Sequence, residues 1–109
     1  MANEKNLKNV DIESSLIVST INDAILSCYG VYGLSDHRDD RKDFVSQGIA
    51  LKRHADRRLS VEVHLVISSG MKITEVLRET QNVLSFVLNK KFPNVFRSID
   101  VCVDALIDN

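Results

Sequence analysis

The chain has 109 residues, 44% of them hydrophobic and 27% charged, ordinary usage for one globular domain and not for a disordered, fibrous or two-domain chain. Fourteen Lys and Arg against fifteen Asp and Glu leave a formal charge of -1, so no global field steers it toward nucleic acid or a membrane surface. Two cysteines, Cys28 and Cys102, make neither a disulfide framework nor a zinc-finger pattern, and a reduced cytosolic setting is expected.

No apolar run approaches the roughly 20 residues of a membrane helix. Residues 1–9 are polar rather than a signal peptide, and are expected as a flexible tail ahead of a single domain at 10–109. Val10 and Ile12 fit either a short edge strand or a staple for the helix that follows, with Asp11 or Ser14 as its cap. Leu16, Ile17, Ile21, Ala24, Ile25 and Cys28 recur at helical spacing, with Asn22, Asp23 and Ser27 opposite them. Gly30 ends that helix. Val31, Tyr32 and Leu34 suggest a short strand, and DHRDDRKD at 36–43 reads as a solvated loop.

Ile49 and Leu51 resume alternation, with Arg53 and Ala55 in the same phase, and residues 55–58 turn into a second strand. There Val61, Val63, Leu65 and Ile67 alternate with Glu62, His64 and Ser68, and Val66 alone breaks the pattern. After Gly70, Ile73, Val76, Leu77, Thr80, Val83, Leu84, Val87 and Leu88 form one helical stripe. Glu75 and Glu79 stand early in that helix and Lys90 and Lys91 at its end, as the macrodipole favours; Pro93 and Asn94 stop it. Ile99, Val101, Val103, Ala105 and Ile107 then alternate with Asp100, Cys102 and Asp104 in a last strand.

The predicted fold is α+β: helix, strand, β-hairpin, helix, strand. A strand, crossover helix and strand in one sheet should be parallel, whereas the hairpin is antiparallel, so the sheet is mixed. Two helices cover one face of such a sheet and leave the other exposed or available for association.

On that outer face Glu62, His64, Asp100, Cys102 and Asp104 have the chemistry of metal ligands. Side chains two apart on a strand are about 6.5 Å apart and strands about 4.8 Å, so a flat array rarely converges on zinc bonds of about 2.0–2.3 Å. A polar solvent face with no metal or other cofactor is therefore expected. Ala50, Val66, Cys102 and Leu106 fall on the same outer phase and form a candidate partner surface. Cys28 lies on an apolar stripe, and His37 and His54 sit in charged, wet segments, so no nucleophile, base and orienting group line up. Lys52, Arg53, Arg57 and Arg58, with His54 between them, are candidate phosphate or nucleic-acid contacts. No stacking aromatic is interleaved, and a solvated hairpin tip is the simpler reading. The tetrapeptide Gly30, Val31, Tyr32, Gly33 also fits the backbone-clamping loop of the K-homology fold, though its middle residues are apolar.

YGVYGL at 29–34 and SGMKITEVLRETQNV at 69–83 resemble the alkaline shock protein family of bacterial general-stress proteins. Its pattern is a helix of Ile and Ala, a Val-(Tyr)-Gly-Leu stretch, a Gly-led segment, a strand of alternating Val, and a helix opened by Gly-x-x-Ile-x-Glu-Val. These fall in order on Ile21 to Ile25, Val31 to Leu34, Gly48 and Ile49, Val61 to Ile67, and Gly70, Ile73, Glu75, Val76, Gln81 and Val83. The closing strand, Ile99 to Val103 with Asp104, fits the family's ending. Departures are Ala55 to Arg58, where the family has more glycine, and the charged loop 36–43. The resemblance implies a non-enzymatic protein with no catalytic residues, cytoplasmic or peripheral at the membrane, that supports cell-envelope homeostasis through self-association or a membrane-anchored partner. The alternative is a nucleic-acid-binding module using the basic hairpin.

Overall fold

Alternation in the middle of the chain builds a ten-residue strand, and every other strand but one pairs with it. The structure, a computed structural model, describes residues 2–37 and 39–108, with side chains described from Glu13 onward. Its elements are α1 (Ala2–Ile25), β1 (Val31–Leu34), β2 (Phe44–Ser46), β3 (Ile49–Arg53), β4 (Leu59–Ser68), α2 (Ile73–Lys91) and β5 (Phe96–Ile107). β5 runs parallel along one side of β4, from Leu59 beside Phe96 to Ser68 beside Ile107. On the other side β3 pairs antiparallel with the first half of β4 and β1 with the second half, and β2 extends the sheet beyond β3. The α+β class, the mixed sheet and the hairpin are as the sequence predicts.

One apolar phase of the sheet carries Ile49, Leu51, Val61, Val63, Leu65, Ile67 and Ile99, and it packs with Ile17, Ile21 and Ile25 of α1 and Val76, Leu84 and Leu88 of α2 in one core. The helices touch each other; α1 also reaches β2, and α2 lies along β5. Truncating a fully buried member such as Leu65 or Leu84 to Ala would cost about 2–5 kcal/mol.

Three differences from the sequence reading have physical causes. The backbone is helical from Ala2, so the segment 1–9 expected as a tail, and the caps expected at Asp11 or Ser14, lie within α1 from that point on. Between Ala2 and Asp11 there is no Gly or Pro to stop a helix. β2 was not foreseen, because three residues are too few to show a period. β5 has one residue more than β4 between Leu65–Val103 and Val66–Ala105, a bulge at Asp104 that interrupts its alternation.

Candidate functional site

The sheet phase facing away from both helices is polar, and its groups are linked. In-register parallel pairing sets His64 beside Cys102 and Glu62 beside Asp100, and Ser60 lies beside Ser98. Ser98 Oγ donates to Ser60 Oγ at 2.8 Å, and Ser60 Oγ also shares a hydrogen bond with His54 Nε2. Farther along, the Lys42 ammonium binds Glu62 Oε1, Cys102 Sγ lies 3.8 Å from the same oxygen, and His64 Nε2 lies 2.8 Å from it. His64 Nδ1 is 2.9 Å from Asp104 Oδ1. The bulge brings this carboxylate to the imidazole.

His64 is the best-enclosed member, its side chain only 7% exposed, with the Phe44 ring tilted against it at 5.4 Å between centroids. Its backbone is held from two sides, because His64 N–H donates to Gly48 O at 2.7 Å and Ser35 N–H to His64 O at 2.9 Å. This is where β3 ends and β1 begins along β4. Gly48 has φ +72°, and a Cβ there would stand 2.9 Å from both His64 O and Ser35 O, so the junction requires glycine.

Charges answer to these contacts. Burial pushes the Glu62 carboxyl up, but the Lys42 hydrogen bond and charge, with His64 behind them, bring it net below the usual range. Asp104 behaves alike, with burial opposed by hydrogen bonds from His64 and Ser35 and ending net lowered. Burial, then the Glu62 charge, raises the Cys102 thiol, and the Glu62 hydrogen bond raises the Lys42 ammonium.

The ligand atoms of Glu62, His64 and Cys102 all lie within 4.8 Å of one another, a convergence the flat-array argument did not foresee. The long Glu62 side chain folds toward the His64–Cys102 pair, and the register that creates the pair is not written in either strand alone. Asp100 is exposed and lies outside this group.

Of the expected partner surface, Ala50, Val66 and Cys102 share the outer phase of the sheet and Leu106 does not. Ala50 is 6% exposed, between Phe44 and Glu62 in register, while Cys102 is drawn into the polar network and Val66 is half-buried. Leu106 is 52% exposed, but the bulge pairs it with buried Ile67 and so moves it to the helix-side phase. The basic cluster also divides. Arg53 pairs with Glu13 on α1 at 2.9 Å and donates to Arg57 O, and Arg58 donates to Phe96 O at 2.7 Å. Lys52 and Arg57 are exposed and without such partners among the described residues. Gly30 to Gly33 form the turn into β1 and the strand itself, where Val31 and Gly33 pair with Ile67 and Val66, rather than a backbone-clamping loop.

No family model matches the chain. It is similar to the uncharacterized protein YloU of Bacillus subtilis (strain 168), 21% identical over 105 residues that cover 89% of this chain and 87% of that protein. Its fold is similar to solved structures of the MamM CTD. A zinc form of one variant is 12% identical, covers 85% of this chain and 86% of that one, and gives a TM-score of 0.55. A cadmium form of another is also 12% identical, covers 85% and 96%, and gives 0.54. At these identities the likeness establishes the α+β fold.

Proposed function

We propose that this chain is a non-enzymatic interaction protein of the alkaline shock type, cytoplasmic or peripheral at the membrane, that supports cell-envelope homeostasis. It acts through self-association or a small membrane-anchored partner, and this reading assigns it no catalytic residue. The observation that carries it is the outer edge of β5, a twelve-residue strand with no further strand beside it among the described residues. Such an edge presents backbone N–H and C=O groups on which another strand can add beyond Ile99, while Phe96 O and Ile99 O already accept from Arg58 and Gln81. Exposed Leu106 near its end offers an apolar contact to whatever pairs there. The order of the family-like motifs along most of the chain supports the same class. No helix of the described residues is long and apolar enough to cross a membrane, so a membrane role would run through a partner.

Sedimentation over a wide concentration range, together with a crosslinking pull-down from the native host, tests this. The expected result is a reversible homo-oligomer, or salt-resistant capture of a small membrane protein, weakened at least tenfold by Leu106→Glu. A monomer at every concentration that captures only RNA or DNA, lost on Arg57→Glu with Arg58→Glu, would replace it with the nucleic-acid reading.

A further inference from the structure

The convergence on the outer face has a use that neither self-association nor partner binding requires. We propose that Glu62, His64 and Cys102 bind one thiophilic divalent cation of the zinc type, with Asp104 as the residue that positions His64. Bonds of about 2.0–2.3 Å in a tetrahedral site place ligand atoms roughly 3.3–3.7 Å apart. Here the imidazole–carboxylate and thiol–carboxylate separations are 2.8 and 3.8 Å, and the whole triangle fits within 4.8 Å.

The imidazole supplies the independent observation. Its Nδ1 is taken by Asp104, while Nε2 is buried, without a hydrogen-bond partner, and faces the Glu62 oxygen. In the tautomer that donates Nδ1–H to Asp104, the Nε2 lone pair is free for a cation shared with the Glu62 oxygen 2.8 Å away. A carboxylate behind the remaining ring nitrogen is the arrangement that fixes the tautomer and orientation of a metal-ligating histidine. One nitrogen, one sulfur and one carboxylate oxygen suit zinc and leave a fourth position for water or a partner's ligand.

Lys42 is the competitor, because its ammonium already neutralises Glu62. On metal binding the Cys102 thiol gives its proton to the buffer, sulfur bonds to the metal as thiolate, and Lys42 leaves Glu62 with its own protons retained.

Cobalt(II) titration of the full chain in reducing, non-chelating buffer tests the site, followed by displacement with zinc. One equivalent should produce a thiolate-to-cobalt charge-transfer band that Zn²⁺ abolishes. The band should persist in Cys28→Ser and vanish in Cys102→Ser. Asp104→Asn should weaken affinity about 10–100-fold, and Lys42→Ala should tighten it. Absence of a band in the wild-type protein, survival of the band in Cys102→Ser, or weaker binding in Lys42→Ala would overturn the assignment. The wild-type, Cys28→Ser and Lys42→Ala results decide the matter even if Cys102→Ser fails to fold.

Discussion

Thr80 occupies a core position on α2, fully buried, and its hydroxyl has no hydrogen-bond partner. Burying such a group unpaired costs about 1–3 kcal/mol, so Thr80→Val, nearly the same shape without the hydroxyl, should raise stability by about 1 kcal/mol. Urea denaturation would read this as a higher midpoint at an unchanged slope. The helical stripe made Thr80 legible as a core residue, since spacing alone puts it between Val76 and Leu84. Gly48 is the opposite case. Its place before an alternating strand marks a turn, but the need for glycine arises from the two carbonyls of Ser35 and His64, which only the folded sheet brings together.

Among the elements, α2 and the β3–β4 hairpin were legible because each carries a long, single-period apolar pattern. β5 was legible up to Val103 and misleading after it, since the bulge at Asp104 reverses the phase of everything that follows. Alternation has no symbol for an extra residue. Asp104 nevertheless lies between two stretches already in register, because Leu65 and Val66 are consecutive while their partners are Val103 and Ala105. Deleting Asp104 should therefore leave the far-UV circular dichroism unchanged and lower stability by about 1–3 kcal/mol, the cost of an unpaired buried imidazole nitrogen. Collapse of the sheet on deletion would mean that the bulge holds the fold itself. The candidate site was half legible: its residue types stood out in the sequence, and their meeting depends on which residue of β5 lies beside His64.

For the whole molecule, the sheet order concentrates pairing on β4, which has β5 on one side and β3 and β1 on the other. The hairpin partner is close in sequence and β5 is distant, so among the pairings that β4 makes the β3–β4 contact is the one least opposed by loop-closure entropy. Native-state hydrogen exchange should find the amides of β4 slowest, opening only with global unfolding, and those of β2 among the fastest. Comparable protection in β2 and β4 would contradict this ordering.

The junction of β3 and β1 at His64 also governs which alternative pairings the chain can reach. A slip of β4 by two residues keeps every side chain on its original face, so hydrophobic patterning alone does not forbid it. It would put Glu62 or Val66 where the His64 side chain now meets Asp104 and Phe44, setting a carboxylate against a carboxylate or an apolar side chain against Asp104, although the main-chain bonds at the junction could re-form. The central strand is thereby keyed at one point along its length. That key is a device of error rejection: it discriminates among misaligned sheets that would bury the same oily surface.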